Sequence, residues 1–487
     1  MPPNKPRPAP PSPPEVGAGG TTPPWSGRAL HFIGIGGAGM SGLALVTHRL
    51  GARVTGSDRA ESAYTERLRA AGIVPLRGHD AGYLPRGAEA VVSTAIGEDN
   101  PELRAARERG VRVIHRGELL SEVAALRRSV AISGTHGKTT TASMAAHALV
   151  ATGHDPAYLI GGELRSTGAN AAWGEGGWAV VEADESDRSF LRLRPDVAVV
   201  TNMELDHHAT YRSTAELEEA FAAFLRPVRE RIVWERLLPG DSATPERDRA
   251  AGHGTARLER GEATTTFGIG RGDLRAEQIR LEPLGSRFSV ESVEVRLQVP
   301  GRHNVLNALA ALAACRAAGL PLERGAEALA GFTGAGRRFE DRGSGPAGAR
   351  VFDDYAHHPT EVRATLEAAR TLGARRVVAC FQPHLYSRTR RLARELGSAL
   401  ALADLSCVLA IYPARERQED YPGVSGWLVA TAAADAAGGR AVYWTPTMDD
   451  AEALLRSELR EDDLLLTLGA GDVDHLAARL TVPGGPS

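Results

Sequence analysis

The stretch ISGTHGKTTT, Ile132 to Thr141, sets one lysine between a glycine and a run of threonines. These are the residue types of a phosphate-binding loop. Gly134 and Gly137 let the backbone wrap an anion with its N–H groups, and a helix starting near Lys138 adds the partial positive charge of its N-terminus. Lys138 would reach the β- and γ-phosphates of a nucleotide, and Thr139 would ligate Mg²⁺. The common spacing G-x-x-x-x-G-K-[ST] asks for glycine at 132, where isoleucine stands, so a glycine-rich turn without ligand is the alternative. Composition weighs against that alternative. Of 57 Lys plus Arg residues, only Lys5 and Lys138 are lysine. A chain that otherwise uses arginine keeps a compact ammonium on a flexible stem at this one position of its folded part.

Other constellations fall where strand ends are expected. GIGGAG, Gly34 to Gly39, fits G-x-G-x-x-G, and Asp58 lies 19 residues beyond Gly39 at the end of the next strand. The pattern seats a diphosphate on a helix N-terminus, which NAD and a UDP-sugar satisfy equally. An NAD-dependent oxidoreductase is therefore one reading, and close glycine packing without ligand is another. VVEADESD supplies Glu182, Asp184, Glu185 and Asp187; TNMELDHHATY supplies Asp206, His207 and His208. Mg²⁺ takes oxygen ligands and keeps waters, and a histidine can join a second site. Glu182, first out of its strand, is expected to ligate, with one of His207 and His208. Asp184, Glu185 and Asp187 read as solvated loop acids or caps. DDYAHHPTE and QPHLYSRTRR put Asp353, Asp354, His357, His384 and Arg388 at strand ends, for contact with a nucleotide or carboxylate. His358, before Pro359, reads as structural, and Arg390 and Arg391 as a solvated helix face.

The elements that position these residues form three blocks. From about Leu30 to Arg128, apolar strands (ALHFI, ARVTGSD, AEAVVSTAI, VRVIH) alternate with helical stretches, the signature of a parallel sheet. The second block opens with SVAISG and the phosphate loop and continues through strands WAVVEADES and DVAVVTNMELDHH. Residues 240–262 read as a charged loop and 263–300 as β-hairpins, before helix HNVLNALAALAACRAAG. Glycines 331, 334, 336, 343 and 345 suit a linker, beyond which strand–loop–helix recurs three times as a second open α/β sheet. Functional residues belong at the carboxyl ends of its strands. A chain of 487 residues suits about three domains. Net charge −3 gives no field for nucleic acid. No run approaches the about 20 apolar residues of a membrane span, and residues 1–28, rich in Pro and Gly, read as a disordered tail with no signal peptide. Cys315, Cys380 and Cys407 are scattered and fit a reducing cytoplasm.

In order along the chain, GIGGAGMSG, GTHGKTTT, EADESD, TNMELDHHATY, PGRHNVLNALAA, GRRFE, DDYAHHPTEV, FQPHLYSRTR and GAGD resemble the Mur ligase family across nearly all of residues 29–475. The resemblance implies an α/β protein of three domains. These are a Rossmann-like UDP-substrate domain at 29–128, a central P-loop ATPase domain at 129–333 with a mostly parallel sheet, and a Rossmann-like amino-acid domain at 334–487. It implies cytoplasmic, ATP- and Mg²⁺-dependent ligation of L-alanine to the lactyl carboxylate of UDP-N-acetylmuramate, forming ADP through an acyl phosphate, in peptidoglycan precursor synthesis. His136 points to the alanine-adding member or to its relative that recycles murein tripeptide, and EADESD and Tyr211 look more like the former.

By the same resemblance Gly134, Thr135, His136, Gly137, Lys138, Thr139 and Thr140 hold the phosphates of ATP, and Thr139, Glu182 and His207 sit on Mg²⁺. His303, Asn304 and Asn307 lie by the adenine, and Arg338 and Asp354 reach the nucleotide from the third domain. Lys138, Glu182, His207 and Arg338 carry the catalysis. Gly36, Gly37, Ala38, Gly39, Met40, Asp58, Ser93 and Thr94 face the UDP substrate; His357, His384 and Arg388 face the amino acid. Closure of the third domain, hinged near Gly334–Gly336, would keep water from the acyl phosphate. Several members bridge metals with a carbamylated lysine, which a chain with Lys138 as its one folded-region lysine cannot do. Leu385 stands where the family often has a polar or basic residue.

Overall fold

The computed structural model describes residues 23–208, 210–238, 258–261 and 263–481. The expected disordered tail over 1–22 and most of the charged loop, 240–257 with 262, lie outside the described residues. Within residues 23–28, expected as tail, Trp25 and Arg28 are half-buried: the Trp25 N–H donates to Leu50 O at 3.0 Å, and the Arg28 guanidinium lies 4.5 Å over the Trp25 ring.

Among the described residues the strands form three sheets. The first holds β1 (Ala29–Ile33), β2 (Arg53–Asp58), β3 (Leu76–Arg77), β4 (Glu89–Val92) and β5 (Val113–His115) in the order β3-β2-β1-β4-β5, all parallel. The order reverses between β1 and β4, so the glycine loop after β1 and Ser93–Thr94 after β4 flank one crevice at the carboxyl edge.

The middle sheet holds β6 (Arg128–Ser133), β7 (Ala157–Leu164), β8 (Ala169–Ala172), β9 (Trp178–Glu182), β10 (Val197–Val200), β11 (Glu230–Trp234), β12 (Thr264–Ile269), β13 (Leu274–Glu282), β14 (Gly285–Val290) and β15 (Val293–Leu297). Their order is β15-β14-β13-β12-β11-β10-β6-β9-β7-β8. β6, β9 and β10 are neighbours and parallel, which brings the phosphate loop, the Glu182 loop and the Asp206–His207 loop to one edge. β10 throughout, and β9 up to its terminal Glu182, are apolar because helices or a second core cover both of their faces. β13, β14 and β15 pair antiparallel as hairpins, but β12, also inside the 263–300 stretch expected to form hairpins, pairs parallel to β11 and β13.

The third sheet runs β16-β17-β21-β18-β19-β20, with β16 (Glu340–Ser344), β17 (Arg350–Asp354), β18 (Arg376–Phe381), β19 (Leu405–Val408), β20 (Ala441–Trp444) and β21 (Asp463–Leu468). β16 alone is antiparallel to its neighbour. β16, β19 and β20 are not among the strands expected from sequence.

The cores explain how the sheets are joined. Helices Lys138–Ala151 and Arg302–Ala317 cover one face of the middle sheet. On its other face Ala131, Val181, Ala198 and Val200 share one buried cluster with Leu30, Phe32 and Leu43 of the first sheet and its helix. The first two units are thus fused through apolar surface. The clusters of the third sheet contain no described residue before Phe339. Its boundary with the middle unit is polar, as suits a surface that opens and closes.

The linker sharpens the expected hinge. The Gly336 N–H donates to Glu163 O at 2.8 Å, and Ala335 bridges Leu164, so residues 334–336 are bonded to β7. Arg337 instead reaches Asp353 at 2.9 Å and the Gly469 and Gly471 carbonyls at 2.8 and 2.9 Å in the third sheet. The crossing point is between Gly336 and Arg337, one residue beyond the glycines expected to flex.

Candidate active site

The phosphate loop leaves β6 at Ser133 and enters its helix at Lys138. Two of its glycines are dictated by space as well as by φ. At Gly134 (φ +131°) a Cβ would lie 2.1 Å from Thr201 Oγ1; at Gly137 (φ +80°) it would lie 2.4 Å from Asn307 Oδ1. Asn307 therefore braces the loop from the helix Arg302–Ala317, and its amide donates to Asn304 Oδ1 at 3.0 Å. Thr135 Oγ1 donates to Glu204 O at 2.9 Å, and the His136 N–H donates to Asn202 Oδ1 at 2.8 Å, so the β10 loop holds the phosphate loop open.

The Lys138 ammonium donates to Gly134 O at 2.6 Å and Thr135 O at 3.2 Å and lies 2.9 Å from Glu185. Burial would lower its pKa, but the Glu185 carboxylate, with Asp184 and Glu182 beyond it, raises it, so the amine stays charged. Glu185 is fully buried. Its reading as a solvated loop acid is corrected: Tyr211 Oη donates to Glu185 O at 2.8 Å and pins the loop inward. Asp184 and Asp187 do cap, accepting from the Ser186 and Ser189 N–H groups at 2.9 Å each, but they also bind Arg116 at 2.5 and 3.2 Å and so join the first unit to the middle one.

Thr139 Oγ1 donates to Glu182 at 3.0–3.2 Å, and Arg338, from the third unit, lies 3.5 Å from the same hydroxyl. His207, at φ +39°, turns its Nε2 to within 3.5 Å of Glu185, whereas neither ring nitrogen of His208 has a partner among the described residues. The expected ligand set thus separates into Thr139 with Glu182, and His207 with Glu185.

At the first sheet Gly36, Gly37, Ala38, Gly39 and Met40 turn into the helix Ala38–Arg49. Asp58 Oδ2 accepts from the Gly36 N–H at 2.8 Å and Oδ1 from the Ala60 N–H at 3.1 Å, so this acid shapes the glycine loop. Ser93 and Thr94 begin the turn after β4. Beneath the crevice, and not foreseen from sequence, buried Glu102 pairs with His31, His79 and Ser57, each at 2.6 Å.

The third sheet closes over the phosphate loop. Arg388 lays its guanidinium on the Asp206 carboxylate at 3.0 and 2.9 Å, with both residues buried. The expectation that its fork faces an amino acid is corrected on this geometry: the fork clamps the third unit to the middle one, leaving Nη1 at 2.9 Å from His384 Nδ1. His384 stacks on Tyr412, and His357 lies edge-on to both His384 and Tyr355. Leu385 holds φ +69°, a conformation costly for a branched side chain, at the start of the helix that carries Arg388. Asp354 accepts from the Phe339 and Ala356 N–H groups at 2.8 Å each, and burial pushes its carboxyl up to about 6.

His136 and Glu204 meet the third unit through residues that the sequence did not single out. His136 Nδ1 lies 3.2 Å from Glu361, its Nε2 lies 3.0 Å from Glu204, and Thr360 Oγ1 donates to Glu204 at 2.8 Å. Glu361 had one available signal: HHPTE has the spacing of a capping box, and Glu361 does accept from the His358 N–H.

These charges make stability depend on pH. Burial drives His303, His357 and His358 to about 4 and His384 to about 2. Their contribution is complete above about pH 6.5 and falls as pH drops toward those values. His136 is the opposite case: burial would lower it, but Glu361 and Glu204 push it up to about 10, so its contribution is complete below about pH 6.5 and is lost as pH rises through 10. Burial opposes ionisation of Glu204 too, but His136 holds it down to about 2, so that part is lost only as pH falls below about 4.5. Asp354 and Asp353, whose carboxyls burial raises, work against the histidines in acid. The melting temperature at low salt is expected to peak near about pH 6.5; a steady rise from pH 6 to 9 would contradict this assignment.

Sequence comparison agrees with the architecture. Residues 29–128 match the family model described as Mur ligase family, catalytic domain; 132–315 match the Mur ligase middle domain; 337–471 match the Mur ligase, glutamate ligase domain. The UDP-N-acetylmuramate–L-alanine ligase of Streptomyces coelicolor is 45% identical over 458 residues, covering 92% of this chain and 96% of that one. The protein of the same name from Rubrobacter xylanophilus is 45% identical over 463 residues, 93% of this chain and all of the other. Among solved structures, the UDP-N-acetylmuramate-alanine ligase of Thermotoga maritima superposes with TM-score 0.77 at 29% identity, over 93% of this chain and 98% of that one. A murein peptide ligase from Psychrobacter arcticus gives 0.68 at 25% identity over the same shares. From its first glycine loop to its last sheet, the chain belongs to the Mur ligase family.

Proposed function

We propose that the protein joins L-alanine to the lactyl carboxylate of UDP-N-acetylmuramate, converting ATP to ADP and phosphate. The observation that carries this reading is the charged Lys138 seated in a glycine-braced loop that residues of a separate sheet close over. The near full-length likeness to proteins named for this activity supports the same choice of substrates. A free carboxylate resists attack by an amine. Transfer of the γ-phosphoryl group of ATP to a carboxylate oxygen gives an acyl phosphate; the alanine amine then attacks its carbonyl carbon, and phosphate leaves as the amide forms.

In this reading Lys138 and Arg338 stabilise charge on the phosphoryl group in transit, with the N–H groups from Gly134 to Thr140 around the phosphates. His303, Asn304 and Asn307 flank the adenine, and Asp354 fixes the backbone that presents Arg338. Thr139 and Glu182 fit Mg²⁺, because a hydroxyl and a carboxylate already in contact are hard oxygen donors, while His207 beside Glu185 serves a separate position. The ion, when bound, neutralises phosphate charge. The first crevice, from Gly36 to Met40 with Asp58, Ser93 and Thr94, takes the UDP end. His357 and His384, neutral at pH 7 through burial, line the amino-acid side: His357 donates its Nδ1–H to Tyr355 O and offers Nε2 as an acceptor for the ammonium, while His384, whose Nδ1 accepts from Arg388, presents an Nε2–H donor. We take the three units as 29–128, 129–333 and 334–487. Three buried free cysteines and the use of ATP support a cytoplasmic setting.

The test is phosphate release from ATP, Mg²⁺ and UDP-N-acetylmuramate with L-alanine, glycine or murein tripeptide as acceptor. L-alanine is expected to stimulate most. Stimulation by tripeptide alone would overturn the reading in favour of the recycling ligase.

A further inference from the structure

A second cluster of ligand-type side chains lies outside the Mg²⁺ positions. His136 of the phosphate loop, Glu204 of the β10 loop and His358 at the start of the helix Pro359–Arg370 each bring one donor atom within 4.8 Å of the other two. His136 Nε2 is 3.0 Å from Glu204 Oε2, and His358 Nδ1, which also accepts a long bond from the Thr360 N–H at 3.4 Å that an ion would displace, is 3.9 Å from the same oxygen. A tetrahedral ion with bonds of about 2.0–2.1 Å sets its donors about 3.4 Å apart, between these two separations. The other nitrogen of His136 is held by Glu361 at 3.2 Å, the carboxylate–histidine arrangement that orients a metal-ligating imidazole. Thr360 Oγ1 fixes the Glu204 carboxylate at 2.8 Å to both of its oxygens.

The geometry points to an inhibitory site for a tetrahedral d-block dication of the Zn²⁺ class, formed by His136, Glu204 and His358 across the boundary of the middle and third units. Two imidazoles and one carboxylate select such an ion over Mg²⁺, which demands six oxygens in near-octahedral array. His136 and Glu204 belong to one side of the boundary and His358 to the other, so the site is complete only when the third sheet is closed. An ion seated there ties the phosphate loop to the closing unit and opposes the reopening that product release requires. Without the ion, a proton on His136 supplies the positive charge between Glu204 and Glu361. Metal binding displaces that proton and tightens as pH rises.

The test uses the full chain with Co²⁺ as a spectroscopic substitute for Zn²⁺, in excess Mg²⁺ to occupy the phosphate-loop positions. One equivalent of Co²⁺ is expected to give the intense visible absorption of a tetrahedral centre, and Zn²⁺ is expected to abolish it in competition. His358→Asn, which keeps a good helix cap, is expected to lose that absorption and to weaken Zn²⁺ binding at least tenfold, whereas His207→Gln keeps both. Should His358→Asn fail to fold by circular dichroism, Glu204→Gln decides in its place. No tetrahedral absorption in the wild-type chain, or its survival in the folded variant, overturns the proposal.

Discussion

Lys138→Arg is expected to lower the rate of phosphate release by at least about 10²–10³-fold, the usual loss when a preorganised charge at a transition state is removed. The substitution preserves charge, so the loss would come from shape. The ammonium sits between two loop carbonyls and the Glu185 carboxylate, a pocket sized for one nitrogen. A planar guanidinium is wider, presents its donors in a fixed fork and cannot swing from Glu185 to a phosphate as a flexible amine does. Lys138→Ala is the necessary comparison. It leaves Glu185 buried with only the His207 imidazole, at 3.5 Å, beside it, and a stranded buried charge costs about 3–5 kcal/mol, so this variant is expected to melt early, whereas the arginine variant keeps its melting temperature and fails in turnover alone. Near-normal turnover in Lys138→Arg would mean that the loop does not hold a phosphate in the assigned way.

Arg388→Ala carries the second large effect, on closure. The Arg388–Asp206 pair is bidentate and buried and joins two units that share no apolar core. Burial alone would raise the Asp206 carboxyl, but the Arg388 charge holds it well below the usual carboxylate range. Removing one partner is therefore expected to weaken docking of the third unit by about 3–5 kcal/mol, with faster proteolysis at Gly336–Arg337 and a larger radius of gyration in solution scattering. Replacing both partners, as Asp206→Leu with Arg388→Met, is expected to restore part of the loss, because neither charge is then stranded. Strict additivity of the two single changes would show that the pair does not act as a clasp.

These two sites mark how far the sequence could be read. Lys138, its strand, its helix and the neighbouring Glu182 lie in local patterns of glycine spacing and apolar periodicity, and such patterns survive in one dimension. The parallel order of the sheets follows from alternating strands and helices for the same reason. The burial of Glu185 has no local signal, because it depends on Tyr211, 26 residues away, which folds the loop inward. An arginine fork at a strand end invites a substrate carboxylate, but the carboxylate that Arg388 meets in the structure is 182 residues earlier in the chain. Glu361 and Thr360 meet His136 and Glu204 across 225 and 156 residues. Contacts between units have no period and no fixed spacing, so they are invisible until the sheets are placed. The link to the third unit shows the same limit: residues 334–336 are bonded through their backbone to residues 163–165, and the chain crosses to the third unit between Gly336 and Arg337.

The most direct measurement follows oxygen atoms. UDP-N-acetylmuramate labelled with ¹⁸O in its lactyl carboxylate is incubated with the protein, ATP, Mg²⁺ and L-alanine, and the released phosphate is analysed by mass. Phosphoryl transfer to the carboxylate followed by amine attack leaves one labelled oxygen in each phosphate and one in the new amide. Phosphate without label, formed at the same rate as the amide, would contradict the acyl phosphate and with it the role given to Lys138.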